Sequence, residues 1–349
     1  MSVKKRLNNA RREFMRSLTK NIGKGNRAGE QKFLSSKVNR VLISRPNHRL
    51  GNLLLITPLL QEVILTFPDA KIDLFVKGGI APLIFKEYEA VDQIISLPRK
   101  PMKELRKYLA VWVALKKNKY DIVINVDKGS SSGRISANIA NAGCKVFGDE
   151  FEEGPILFAD YQHIAKQPIY NFRNILPYFG KSNEARPIPA MDMRLTTEEI
   201  AAGKKILTDL VKNDRKSICI FTFATGDKCY PPGWWEPFYE LLLKEFPNYN
   251  IVEMLPAENV SQINFKAPSF YSMDVREMGA VLNNMAVFIG ADSGIVHLAE
   301  AAKVPTVALF SVTDKNIYQP YRKKSLGINT NETSIEDCVE IIKTILGSQ

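Results

Sequence analysis

The sequence predicts an α/β protein built of two Rossmann-like, doubly wound domains that face a central cleft, and three observations lead there. Short apolar runs of strand type alternate with helical stretches along most of the chain, the pattern of a parallel sheet covered on both faces. At 349 residues the chain is long for one domain and comfortable for two. Pro187 and Pro189 punctuate the alternation near its middle, where a crossing between domains fits. The expected parts are an N-terminal arm over 1–39, a first domain over 40–190, a second over 191–330, and a closing helix over 331–349.

The elements follow in order. Val3, Leu7, Ala10, Phe14, Leu18 and Ile22 recur at steps of three and four, which makes the arm a basic amphipathic helix, broken by a hinge over Gly23–Gly29. Val41–Ser44 is a buried strand, followed by the loop RPNHRLGN and a long apolar helix over Leu53–Phe67 that Pro68 ends. Ile72–Val76, Gln93–Leu97, Asp121–Val126 and Cys144–Phe147 read as further strands. Helical stretches near Ala81–Lys86, Met102–Asn118 and Ser131–Ala142 lie among them. Helices over Ile164–Phe179 and Thr196–Lys212 lead across to the second domain. There a strand at Ile218–Phe223 precedes the loop TGDKCYPPG and a helix over Trp234–Glu245. A strand at Asn250–Met254 and helices over Val275–Asn284 and Ser334–Leu346 complete the second domain around the stretch discussed next. In open α/β sheets ligands sit beyond the carboxyl ends of the strands, so the loops of both halves should aim at one cleft.

Ala286–Asp314, AVFIGADSGIVHLAEAAKVPTVALFSVTD, is a strand–turn–helix–strand unit of near-minimal length. The strand ends at Gly290, Asp292 stands where a helix N-cap belongs, and Pro305 closes the helix before the next strand, Thr306–Phe310. With no side chain at Gly294, a ligand could approach the amides of the first turn, which carry partial positive charge and suit a phosphate. His297 falls one turn after Ser293, on the same face.

Composition narrows the function. No apolar run approaches the length of a membrane span, and no secretory leader is evident. Four scattered cysteines and three histidines make a zinc site improbable and reduced cytosolic thiols the expectation. The formal charge of +11 suggests nucleic-acid binding until its distribution is read: residues 1–40 carry twelve Lys and Arg against Glu13 and Glu30. The body is nearly neutral. A basic amphipathic arm without interleaved aromatics suits an anionic membrane surface better than a nucleic acid. A nicotinamide dehydrogenase would want three glycines after the first strand, and RPNHRLGN holds one.

The run DSG-x-x-HLA followed by PT-x-ALF and Thr313-Asp314 resembles the C-terminal signature of glycosyltransferase family 9, the ADP-heptose heptosyltransferases of lipopolysaccharide core assembly; Ser311 stands where the family has glycine. The resemblance extends from about Arg40 to Asp314 through VLISRP, the apolar helix with its TPLL, FPDA-x-IDLFV and NAGCKVFG. It implies the GT-B architecture and a cytoplasmic enzyme on the inner face of the inner membrane. It also implies an inverting transfer from ADP-heptose to a lipopolysaccharide or lipid-linked acceptor, with no metal and no cofactor. Thr225, Asp227 and Lys228 align with the family's donor loop, Tyr230-Pro231 replacing its W-P pair. On this resemblance the donor-binding residues are Thr225, Lys228, Asp292, Ser293, Gly294 and His297.

Such a transfer needs a base for the acceptor hydroxyl, positive dipoles for the leaving diphosphate and a clamp for the sugar. The sequence departs from the family at the first of these. The family's base is the aspartate of a Gly-Asp pair, and here Asn52 follows Gly51. An amide orients a hydroxyl but does not take its proton. His48 in the same loop, or Asp127 at the end of a neighbouring strand, is then expected to serve as base; the alternatives are a different acceptor geometry in which Asn52 holds the acceptor, and a sugar-nucleotide-binding homologue impaired in catalysis.

Overall fold

The computed structural model describes residues 13–23, 37–100, 103–182 and 186–347. These form two compact units. The first takes the chain up to His48, Pro58–Pro82 and Tyr88–Pro189; the second takes Arg49–Thr57, Leu83–Glu87 and the chain from Ala190. Residues 1–12 and 24–36, which carry most of the predicted basic arm and its hinge, lie outside the described residues.

In the first unit the apolar runs become β1 (Arg40–Ser44), β2 (Lys71–Lys77), β3 (Val91–Leu97), β4 (Lys119–Asn125) and β5 (Asn141–Val146). They form one parallel sheet in the order β3-β2-β1-β4-β5, with Val41 opposite Ile72 on one side and Ile122 on the other. β1 and β4 are apolar and buried almost throughout because helices cover both faces of a parallel sheet. Residues 13–19 form a helix, α1, and α4 (Ala81–Ile84), α5 (Leu105–Lys117), α6 (Ser131–Ile139), α7 (Gly154–Leu157) and α8 (Gln167–Ile175) follow further along the chain. The root of the arm is clamped to α6. Thr19 Oγ1 donates to Ser131 Oγ at 2.9 Å, Arg134 donates to the Ile22 carbonyl, and Gly23, at φ +84°, lies against the Phe147 ring with no room for a Cβ.

The expected helix over Leu53–Phe67 is two helices, α2 (Leu50–Leu54) and α3 (Thr57–Thr66). Pro58 is the cause. Proline has no N–H for the carbonyl four residues back, and its ring crowds that position. The orphaned Leu54 carbonyl accepts from Thr57 Oγ1 at 2.8 Å instead.

The second unit holds β6 (Ser217–Phe221), β7 (Asn250–Met254), β8 (Ser269–Phe270), β9 (Val287–Ala291), β10 (Thr306–Phe310) and β11 (Leu326–Asn329). Their order, β11-β10-β9-β6-β7-β8, is that of a Rossmann sheet, all strands parallel. α9 (Thr197–Val211) opens with a reciprocal cap between Thr196 and Glu199. α10 (Pro232–Glu245), α11 (Val275–Asn283), α12 (Gly294–Ala301), α13 (Lys315–Tyr318) and α14 (Ile335–Gly347) complete the unit. α14 buries Cys338, Val339 and Ile342 in the same core as Trp235 and Phe238. β11 was not expected from the sequence: it is four residues long, and only Gly327 and Ile328 are buried.

Within the first unit Glu62 is fully buried on α3, held by Arg173 from α8 at 2.9 and 3.0 Å and by Arg186 at 3.0 Å. Removing one member of a buried pair strands the remaining charge, at about 3–5 kcal/mol. Glu62→Ala is therefore expected to lower the denaturant midpoint of unfolding by an amount equivalent to that range, and Glu62→Asp by less.

Candidate active site

Each sheet has one topological switch point, where neighbouring strands send their connections in opposite directions, and ligands bind at the carboxyl ends of the strands there. In the first unit this point lies between β1 and β4, in the second between β6 and β9. Both hold an ion pair of the same kind.

In the second unit the chain leaves β6 through Thr222. Thr222 Oγ1 donates to Glu253 at 2.7 Å and accepts from the Gln262 amide, while Ser261 donates to the other Glu253 oxygen at 2.7 Å. Burial pushes the Glu253 carboxyl above its usual range, and the two hydroxyls pull it back. The root of the loop is thus fixed. Beyond it Thr225 is exposed, and Gly226–Lys228 makes a single 3-10 turn that Gly226 enters at φ +70°. This turn swings Lys228 over the end of β9, where its Nζ lies 2.5 Å from Asp292 Oδ2. Asp292 is nearly buried and Lys228 about a third exposed. The same ammonium stands 5.9 Å from the centre of the Tyr318 ring on α13, within cation–π range.

Asp292 is therefore not the N-cap expected of it. Ser293 occupies the cap position of α12, one residue later, because β9 runs on through Gly290 to Ala291 and the Asp292 amide still bonds to the Leu309 carbonyl. The Ser293 side chain caps nothing: its hydroxyl is buried without a hydrogen-bond partner. Such a group is costly unless something polar reaches it.

The open approach expected beside Gly294 is taken by the chain itself. α2 packs against α12, and a Cβ on Gly294 would lie 3.2 Å from the Gly51 nitrogen and 3.7 Å from Leu50 Cβ. A Cβ on Gly51 would meet the His297 ring at 2.7 Å and Gly294 Cα at 3.1 Å. His297 is accordingly buried against α2. Asn52, half-buried, follows Gly51 on this helix, so the structure groups it with Gly294 and His297.

In the first unit Arg45 follows β1 and is almost fully buried; its Nη1 lies 2.6 Å from Asp127 Oδ2, a close charge pair rather than an aligned hydrogen bond. Asp127 follows β4 and is partly exposed, and its other oxygen accepts from the Gly129 amide at 2.9 Å. Both carboxylate oxygens are engaged. Next to it, Lys128, Phe158, Tyr161, Gln162 and Gln167 line a cavity of about 370 Å³. His48 is exposed and its Cβ abuts Gly78 in the turn after β2. Among the described residues, no group of three or more His, Cys, Asp or Glu is gathered to hold a metal ion.

The sequence singled out Lys228, Asp292, Ser293 and Asp127 but not Arg45 or Tyr318. Arg45 lay in plain view after the first strand, yet its pairing spans 82 residues and has no local signal. Tyr318 was foreshadowed only by Asp314, which caps α13 through the Asn316 amide.

Two doubly wound units, each with a crevice at its switch point, make up the GT-B architecture. Residues 108–345 match the model of glycosyltransferase family 9 (heptosyltransferase), and the chain belongs to that family. Among curated relatives, lipopolysaccharide heptosyltransferase 3 of Escherichia coli is 22% identical over 293 residues, covering 78% of this chain and 83% of that protein. Lipopolysaccharide heptosyltransferase 1 of Campylobacter coli is 22% identical over 286 residues, covering 76% and 82%. The fold matches the glycosyl transferase family 9 structure from Veillonella parvula DSM 2008 with a TM-score of 0.70 at 17% identity, over 91% of this chain and 99% of that one. It matches the E. coli heptosyltransferase WaaC with ADP with a TM-score of 0.62 at 20% identity, over 88% and 99%.

Two expectations follow from this geometry. Lys228→Ala leaves Asp292 nearly buried and unpaired, a loss of about 1–3 kcal/mol that Asp292→Asn in the same chain should largely restore; a double-mutant cycle by thermal unfolding reads the coupling. Gly51→Ala should push α2 off His297 and lower the melting temperature more than Gly294→Ala, whose nearest neighbour lies farther away.

Proposed function

We propose that the protein is an inverting, metal-independent heptosyltransferase that moves a heptose, or a closely similar sugar, from ADP-heptose to a lipopolysaccharide core or lipid-linked acceptor. The observation that carries this reading is the Lys228–Asp292 pair at the switch point of the second unit, beside the unpartnered Ser293 hydroxyl, in a chain of this family. Lys228 carries positive charge where a diphosphate leaving group would gather negative charge. Ser293 supplies a hydroxyl to a phosphate or sugar oxygen, Asp292 accepts from sugar hydroxyls, and Thr225 lines the exposed side of the loop. Gly294 and His297 shape this end by seating α2. The relatives' names as lipopolysaccharide heptosyltransferases and the ADP in the WaaC structure support the donor and the acceptor class.

The proposed acceptor residues are His48 and Asp127 of the first unit and Asn52, carried on α2 of the second. Asp127 is held by Arg45 and by the Gly129 amide, which suits it to fix the site more than to take a proton. His48, exposed after β1, is the proposed general base, and Asn52 orients the acceptor hydroxyl. The basic arm, residues 1–30, brings the enzyme to the anionic inner-membrane surface from the cytoplasm, where a lipid-linked acceptor resides.

The test is transfer from ADP-heptose to a soluble core acceptor. His48→Ala should lower the rate by about 10²–10⁴-fold. Asn52→Asp should give no gain, since it adds negative charge beside the acceptor. A large gain from Asn52→Asp with an unaffected His48→Ala would instead mean that the base had been lost, not moved.

A further inference from the structure

α5 connects β3 to β4 and covers the sheet with one side only. Tyr108, Val111, Trp112 and Leu115 pack toward the core that also holds Phe75 and Leu97. Leu105, Leu109 and Val113, spaced four apart and so stacked along one stripe, are 52%, 55% and 53% exposed. An ordinary surface helix of a doubly wound sheet carries polar residues there. The other exposed positions over residues 103–117 are the cations Lys103, Arg106, Lys107, Lys116 and Lys117, the small residues Ala110 and Ala114, and Glu104, the sole acidic side chain between residues 98 and 120. A three-residue apolar stripe flanked by lysine and arginine is complementary to a surface with an apolar interior and an anionic skin.

The arm's clamped root lies on the same face. Ile22 packs into the core that Tyr108 and Trp112 complete, and α1 rests on the start of α6. In a parallel sheet the helices begin at the carboxyl ends of the strands, so Leu105 and the N-terminus of α6 share one end of the unit. On α1, Phe14 and Leu18 are 65% and 60% exposed, with Arg16 and Lys20 beside them. We infer that α5 is a built-in membrane-docking helix, laying Leu105, Leu109 and Val113 into the interface of an anionic bilayer with its cations on the headgroups. The inference rests on the reading that the acceptor is membrane-borne, and it adds a contact made by the folded unit rather than by the arm.

The experiment uses the full chain and co-sedimentation with vesicles of phosphatidylethanolamine and phosphatidylglycerol, or of phosphatidylcholine alone. Leu105→Ser/Leu109→Ser/Val113→Ser should weaken partition onto the anionic vesicles about tenfold or more, with the arm intact. Thermal unfolding should be unchanged because the three side chains are exposed, and added salt should weaken the parent's binding. Partition equal to the parent's would overturn the inference while leaving the arm as the sole anchor. Loss of self-association with unchanged partition would overturn it too, by making the stripe a contact between two copies. No arm of the test reads sugar transfer, so its failure is separate from failure of the proposed reaction.

Discussion

The second unit depends on two residues that have no side chain. Gly51 and Gly294 bring the starts of α2 and α12 to within backbone contact; a Cβ on Gly51 would collide with the His297 ring, and one on Gly294 would press on the Gly51 nitrogen. Three things follow from that approach. The first turn of α12 is covered by chain instead of standing open, His297 is sealed into the contact, and a segment from early in the sequence is grouped with elements more than two hundred residues later. Helices approach this closely where glycine removes the steric barrier.

The two switch points solve one problem twice. A doubly wound sheet leaves a crevice where its strand order reverses, and both crevices here carry a cation paired with an aspartate that directly follows a strand or lies one residue beyond it. The pairs differ in which partner is buried. In the first unit arginine is buried and the carboxylate partly exposed; in the second the carboxylate is nearly buried and the lysine more open. The first crevice therefore turns its carboxylate toward solvent and the second its ammonium.

Much of this was legible in the sequence because burial on both faces gives parallel strands an unmistakable apolar run: β7 and β10 fall where the pattern puts them. The break between α2 and α3 was legible too, through Pro58, but the apolar run around it masked the signal. β11 was not, since a four-residue strand with glycine in it has no periodicity to read. At the site, Lys228 and Ser293 stood out through the resemblance of their surroundings to a known signature. Arg45, Tyr318 and the contact of Gly51 with Gly294 did not, because each is made by chain brought together only on folding.

The division of one expected helix into α2 and α3 bears on the local dynamics of the site. Five residues are far too few to form a helix alone in water, where nucleation costs more than so short a ladder returns. α2 is helical only while α12 supports it, so its opening is a local event with its own free energy, below that of the whole unit. Asn52 is carried on this conditional turn. The amides of Leu53 and Leu55, which bond back to Arg49 and Gly51, should thus exchange with solvent ahead of those in β9 and report when that part of the site is assembled.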